Sequence, residues 1–434
     1  MQRITRGTLR VLSGDNPDPD LRAELRVVKD SFWLRLCAMG DLGFAEAYMY
    51  GDVECDDLVS LFSMFLKNKE NLSNMQSSAS YLFTLPQKLT SYRFLNTIGN
   101  SPSNISAHYD ISNSMFQALL SSDMTYSCGI FPDLNADLDI LTRKHLSGLS
   151  GGHHLLRVGE SQEPPHNAIP EIDLQHAQER KLAHILRKAN VRPGNRVLEI
   201  GSGWGSMAML IVQTVPGTRV DTLTLSEQQQ ELAQARIRAA GLEDRITVHL
   251  MDYRSMPLEW KGSFDRVVSI EMIEAVGKDF LEGYWRTVDW ALKPKDAAGV
   301  VQVITIPEHR FASYMAEIDF IRKWVFPGGF LPTLTLLMQA LESGSKGRLT
   351  VDSVTNIGPH YARTLREWRR RFLEKFDSHI APALMAEHAD VMSGPRGLEE
   401  LEVFKKKWIC ECFHALARWN SVMMQICFLF PDYL

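Results

Sequence analysis

The run VLEIGSGWGS, Val197–Ser206, decides how the rest of this chain is read. Four residues of strand character end at Ile200, and Gly201, Gly203 and Gly205 follow before an apolar helical pattern begins. Glycines between a strand and a helix leave space where a ligand approaches the backbone and the helix N-terminus. The spacing is GxGxG, so the GxGxxG dinucleotide fingerprint is not met and a dehydrogenase is disfavoured. Glu199, at the strand's end, is placed to receive the cationic end of a sulfonium amino acid; its alternative is to cap the next helix.

Outward from this run the pattern alternates. A helix, DLQHAQERKLAHILRKAN (173–190), precedes it. SMAMLIVQTV, VDTLTLS, EQQQELAQARIRAAG and ITVHLMD follow as helix, strand, helix and strand, and DRVVSIEM and GVVQVITI read as further strands. Strand-length apolar runs separated by amphipathic helices predict βαβ units, hence an α/β, Rossmann-like parallel sheet flanked by helices. The expected organisation is a small N-terminal domain (1–100), a linker and cover segment (101–172), and a catalytic domain (173–434) with a helical insertion at about 307–400. In the first part RVLSG (10–14) reads as a strand, LRAELRVVKDSFWLRLCAMGD (21–41) as a charged alternating stretch, and LVSLFSMFLKN (58–68) as a helix. The linker ends in an amphipathic run from Asn113.

Bulk composition excludes several classes. Of 434 residues 45% are hydrophobic and 23% charged, which supports a packed core and argues against wholesale disorder. A formal net charge of -5 offers no footprint for nucleic acid. The six cysteines form no CxxC pair and no metal-ligand spacing, so neither zinc nor a disulfide framework is expected, and a reducing, cytoplasmic setting fits best. No signal-peptide segment and no run near the roughly 18 apolar residues of a membrane span is seen. The basic runs REWRRRF (366–372) and FKKKW (404–408) read as a solvated helix face or, alternatively, as attraction for anionic lipid headgroups.

With TLTLSEQQ (222–229) and DRVVSIEMIEAVG (265–277) beside the glycine run, the chain resembles the cyclopropane fatty acid synthase family of methyltransferases, which includes the mycolic acid methyltransferases. The likeness extends to GDLGFAEAYMYGD, HYDISNSMFQALLSSDMTYSCGIF, VQVITIPEHRF, FIRKWVFPGGFLP and NIGPHYARTLREW, and so covers about Asp41 to Trp408. The tail after Trp408 does not resemble the family's closing strand region.

The resemblance implies S-adenosylmethionine (SAM) as methyl donor, bound by Tyr126, Ser127, Glu199, Gly201, Ser202 and Gly203. It places Thr224, Leu225, Ser226, Gln228 and Gln229 along the ribose side, with Gln229 the direct contact, and Asp252 and Tyr253 beside the adenine. It further implies a bicarbonate ion as base, held by Cys128, Glu274 and Tyr361 with the backbone of Ile304. Where bacterial members carry histidines, this chain has Ala275 and Gln302; Gln302 forms hydrogen bonds but cannot carry a proton at neutral pH. Tyr126, Trp204 and Phe131 are candidates to face a cation.

The implied reaction is methyl transfer to the double bond of an unsaturated phospholipid acyl chain, giving a cyclopropane or methyl-branched product. A peripheral enzyme at the membrane surface would perform it, with a homodimer admitted. The alternatives are a small-molecule N-methyltransferase of the plant alkaloid type, and a catalytically degenerate SAM- or lipid-binding protein.

Overall fold

Alternation along the central strands sorts their side chains between two cores. The computed structural model describes residues 8–9, 22–67, 113–137, 172–316, 318–392, 394–417 and 422–429. In Arg196–Ile200, Val197 packs into one buried cluster while Leu198 and Ile200 pack into another; Val268 and Val267 divide in the same way, as do Val300 and Val301. A strand's period of two puts neighbours on opposite faces, so both faces of this sheet are buried, as a βαβ architecture requires.

The N-terminal part holds a small antiparallel sheet of β1 (Thr8–Leu9), β2 (Leu25–Val27) and β3 (Val53–Cys55), with helices α1 (Ser31–Met49) and α2 (Leu58–Lys67). The stretch read as charged and alternating is therefore one short strand followed by a helix kinked at Gly40. The strand expected at 10–14 lies outside the described residues, as does most of the linker. Glu46 on α1, 3% exposed, accepts hydrogen bonds from Lys323 Nζ (2.5 Å), Trp324 Nε1 (3.0 Å) and Arg35 Nη1 (3.4 Å). This buried carboxylate fastens the N-terminal part to the chain around Ile321–Val325.

Next come α3 (Asn113–Leu119), α4 (Ile172–Lys188), β4 (Arg196–Ile200), α5 (Ser206–Thr214), β5 (Arg219–Thr224), α6 (Glu227–Ala239), β6 (Ile246–Leu250), β7 (Arg266–Ile270), α7 (Leu281–Ala291) and β8 (Ala298–Thr305). Then follow α8 (Glu308–Ala316), α9 (Leu334–Ser345), β9 (Thr350–Asn356), α10 (Gly358–Lys375), α11 (Ala381–Glu387), a long α12 (Gly397–Ala417) and β10 (Val422–Leu429). The sheet order is β6-β5-β4-β7-β8-β10-β9. Strands β4 to β8 pair in parallel, and the order reverses between β4 and β7, the position where α/β sheets bind ligands.

The structure shows where the tail goes. β10 lies antiparallel between β8 and β9, with Gln425 opposite Gln302 and Thr355, so the final segment completes the sheet. Its run VMMQICFL has no turn residue and enough β-branched and large apolar side chains for a central strand.

The basic run on α10 is partly buried, and several of its arginines are paired within the fold. Arg363, 2% exposed, pairs with Asp173 and Asp137; Arg366 pairs with Asp137 and Arg370 with Glu367 and Glu374; Arg371 donates to the Leu120 carbonyl. Arg363, Arg366 and Arg371 bind α10 to the segment 120–137 that carries Cys128. In the second run Lys405 pairs with Asp377 and Lys406 with Glu402.

Helices α7 and α9 meet at Gly344, where an added Cβ would stand 2.5 Å from the Glu282 carbonyl oxygen and 2.8 Å from Trp285 Cβ. Gly344→Ala is expected to cost about 1 kcal/mol or more, because overpacking against rigid backbone outweighs alanine's helix propensity. The midpoint of urea unfolding checks this.

Candidate active site

The cleft lies over the carboxyl ends of β4, β5 and β7, where the chain leaves each strand in turn. After β4 the three glycines adopt positive φ, +100° at Gly201, +48° at Gly203 and +87° at Gly205. At Gly201 the close approach is explicit, since a Cβ would lie 3.1 Å from Met272 Cβ. The N–H groups of Gly201 and Ser202 both donate to the Leu223 carbonyl, which ties the loop to β5.

After β5, the Ser226 hydroxyl caps α6 by accepting from the Gln229 N–H (3.2 Å), and Thr224 Oγ1 donates to Gln229 Oε1 (2.8 Å). After β6, Asp252 accepts from the backbone and side chain of Arg254, setting Tyr253 against Tyr284 at 5.4 Å.

Tyr126, Ser127, Glu199, Gly201, Ser202, Gly203, Thr224, Leu225, Gln229, Asp252 and Tyr253 all line this one cavity. Ser226 and Gln228 are not among its walls. Ser226 serves as a helix cap and Gln228 offers its carbonyl to Asn113. Of the aromatic candidates Tyr126 and Trp204 line the cavity, whereas Phe131 packs under the Arg363 guanidinium at 5.0 Å.

Burial sets the electrostatics. Glu199 is 3% exposed, its Oε2 has no hydrogen-bond partner, and desolvation pushes its carboxyl up to about 8. Lys181, fully buried on α4, donates to Ser127 Oγ (2.5 Å); burial lowers its pKa, and nearby Glu271 is the largest opposing influence. Gln178, three residues earlier, donates to the Ser127 carbonyl (2.7 Å).

The residues fit the SAM expected from the resemblance. A buried carboxylate with a free oxygen suits a positively charged amino-acid end, and Gly203 leaves open space over the loop after β4.

A second cluster lies beside the cavity. Cys128 Sγ faces the carbonyls of Gly129 (3.4 Å) and Ile357 (3.9 Å), and the side chain shares a small apolar cluster with Ile304, Ile357 and Tyr361. Burial holds the Cys128 thiol well above its ordinary pKa, so it is a neutral S–H group. Glu274 accepts from the Ile304 N–H (2.5 Å); its Oε2 has no partner, and burial followed by repulsion from Glu271 raises it to about 8. All the residues expected to hold an anion are thus close together.

They do not fit a bicarbonate as arranged. The Cys128 N–H is taken by Glu271 Oε1 (2.8 Å) and the Ile304 N–H by Glu274. A third carboxylate-like anion beside two buried carboxyls would find those backbone donors already used.

Glu271, Lys181 and Gln178 are absent from the sequence-derived site. For the helix pair the signal was present: Leu174, Ala177, Leu182 and Ile185 mark the buried stripe of α4, and Gln178 and Lys181 fall within it. Polar groups on an apolar face need partners.

Known proteins supply the remaining findings. Residues 98–391 match the family described as mycolic acid cyclopropane synthetase. The chain is 32% identical over 348 residues to the tuberculostearic acid methyltransferase of Mycobacterium tuberculosis, covering 80% of this chain and 72% of that one. It is 29% identical to the cyclopropane-fatty-acyl-phospholipid synthase of Escherichia coli (strain K12), covering 81% and 77%. Among solved structures, coclaurine N-methyltransferase bound to N-methylheliamine and SAH superimposes with a TM-score of 0.60 at 15% identity, over 88% of this chain and 98% of that one, and shows the shared fold.

The raised carboxyls have a consequence for stability. Glu199 and Glu274 bind protons in the folded chain at pH values where the unfolded chain has released them. Their stabilising contribution is full below about 4.5 and is lost as pH rises through about 8. The ligand-free protein should therefore lose up to about 1.4 kcal/mol per pH unit for each group between those limits. Glu199→Gln should flatten the slope measured by urea unfolding and weaken SAM binding, measured by calorimetry, about 10- to 100-fold. A pH-independent stability would exclude these carboxyls as the buried acids.

A parallel sheet reversing at a glycine loop, a buried acid at the end of β4 and the match across residues 98–391 converge on one conclusion: this chain belongs to the mycolic acid cyclopropane synthetase family and is a SAM-dependent methyltransferase of the lipid cyclopropanating and methyl-branching type.

Proposed function

We propose that the enzyme methylates the double bond of an unsaturated phospholipid acyl chain, giving a cyclopropane or methyl-branched chain. The observation that carries this reading is the adjacency of two parts. The cavity suited to SAM is walled by Tyr126 and Glu271, and beside Glu271, whose carboxylate accepts from the Cys128 N–H, lies an apolar cluster of Cys128, Ile304, Ile357 and Tyr361. The relatives named for fatty acyl and tuberculostearic acid chemistry, at 29% and 32% identity, support a lipid rather than an amine. The fold likeness to an amine methyltransferase at 15% identity carries no substrate information.

SAM supplies an electrophilic methyl group when bound. An isolated C=C is a weak nucleophile, so the chain's own contribution is alignment and exclusion of water. Tyr126 is well fixed for this, stacked on Trp368 at 4.7 Å and braced by Phe116 at 5.2 Å. Its ring face offers stabilisation to positive charge on the acyl chain. A proton must then leave for the ring to close, and the buried carboxyls stand beside that position.

Among the described residues no helix is long and apolar enough to cross a membrane. A membrane substrate would be met by a peripheral visit to the bilayer surface.

The deciding experiment incubates the enzyme with labelled SAM and vesicles of unsaturated phospholipid, with a panel of small amines in parallel. Mass spectrometry should find acyl chains heavier by one CH₂ and unchanged amines. Methylated amines with untouched lipid would replace this reading by the N-methyltransferase one. SAM binding without transfer to either would indicate a degenerate binder.

A further inference from the structure

The two carboxylates behind the cavity differ in how they are held. Glu274 uses Oε1 on the Ile304 N–H. Glu271 receives two donors on a single oxygen: the Cys128 N–H at 2.8 Å and the Gln302 side-chain amide at 2.7 Å, both on Oε1. Neither bond uses Oε2, and the residue is a wall of the cavity that suits SAM.

The backbone of Glu271 is unusual too. It sits at φ +51° immediately after β7, a left-handed conformation that non-glycine residues adopt at a cost of about 1–2 kcal/mol. Its N–H donates to the Gln302 carbonyl at 2.7 Å, so Gln302 grips both main chain and side chain. A cost of this kind persists where surrounding structure over-determines it, which is common at functional sites.

The identity of residue 302 now has a physical reason. A carboxylate at 271 needs a neutral donor reaching from β8, and the Gln302 amide, fully buried on that strand, is one. Glu271 and Gln302 thus form a matched pair. The pair also occupies the Cys128 N–H, the donor on which a free anion would have to sit.

We propose that Glu271, held by the Cys128 N–H and the Gln302 amide, is this enzyme's built-in anion at the reacting double bond and the acceptor of the proton released there, in place of a bound bicarbonate. The proposal rests on the acyl-chain reading above. After methyl transfer to one alkene carbon, the neighbouring carbon is positive. A C–H bond of the new methyl then breaks, its proton goes to a Glu271 oxygen, and its electron pair forms the second C–C bond of the ring. Glu271 is left as a neutral acid, which returns its proton to solvent once the product departs. Desolvation raises Glu271 above the ordinary carboxylate range, with Cys128 N–H, Lys181 and Gln302 opposing that rise, which makes it a stronger base than an exposed carboxylate. The charged and titratable groups around it are Lys181, Glu274 and Cys128.

The test uses vesicles of dioleoylphosphatidylglycerol in buffer stripped of carbon dioxide, with and without added bicarbonate. The wild-type rate should be the same in both, and Glu271→Gln should lose about 10²- to 10⁴-fold in kcat with SAM affinity kept. Glu271→Ala, which empties the anion position, should lose as much but recover part of it, saturably, with formate or bicarbonate. A residue needed only for packing would not be rescued by a small anion. A second readout needs no turnover: isotopically labelled bicarbonate, followed by NMR, should bind Glu271→Ala saturably and leave the wild type unbound.

Saturable bicarbonate binding by the wild type, a wild-type rate that depends on bicarbonate, or a Glu271→Gln enzyme of undiminished rate would overturn the proposal. A wild type that modifies no phospholipid under either condition would remove the acyl-chain reading instead, and the binding comparison would still decide whether Glu271 fills the anion position.

Discussion

Carboxylates withdrawn from water must find donors, a cation or a proton, and this molecule is organised around meeting that demand at the carboxyl ends of two strands. Glu199 ends β4 with one oxygen unpartnered, Glu271 follows β7 with two donors on one oxygen, and Glu274 lies three residues further on. Lys181 is the buried cation among them. An unpaired charge in such a place costs several kcal/mol, so each acid either carries a proton or awaits a partner. The folded, ligand-free protein is thereby prepared for a cationic ligand.

The sheet supplies the place. Reversal of strand order between β4 and β7 opens a crevice there, and glycines at positive φ keep it clear. Around this crevice the arginines of α10 act as internal fasteners: Arg363, Arg366 and Arg371 tie the helix to the segment that delivers Tyr126, Ser127 and Cys128. Helix α4 reaches the same segment from the other side through Gln178 and Lys181. The cover over the site is thus held by charge-assisted hydrogen bonds to main-chain carbonyls and buried acids, a rigid arrangement suited to aligning a weak nucleophile.

Much of the cofactor wall was legible in order along the chain, because it is built locally. A strand, a glycine turn and a helix N-terminus are contiguous, so Glu199, Gly201 and Gly203 are recognisable from position; Ser202, Thr224 and Gln229 came from the family resemblance, and all six line the cavity. Ser226 and Gln228, carried over with the same resemblance, fall outside it, since a helix cap turns successive side chains in different directions. The cluster beside the cavity was legible through family likeness only: Cys128, Glu274, Gln302 and Tyr361 are far apart in sequence, and their meeting depends on β7, β8 and α10 coming together.

The chain's sequence by itself determined the α/β class and the position of the glycine loop, because apolar periodicity and backbone permissiveness are local properties. Tertiary structure alone decided that β10 joins the sheet between β8 and β9, that Arg363, Arg366 and Arg371 of α10 reach the 120–137 segment, and that Glu271 and Gln302 meet at the Cys128 N–H. These are long-range pairings of charge and hydrogen bond. Their energy depends on burial and geometry, and no window of consecutive residues contains either.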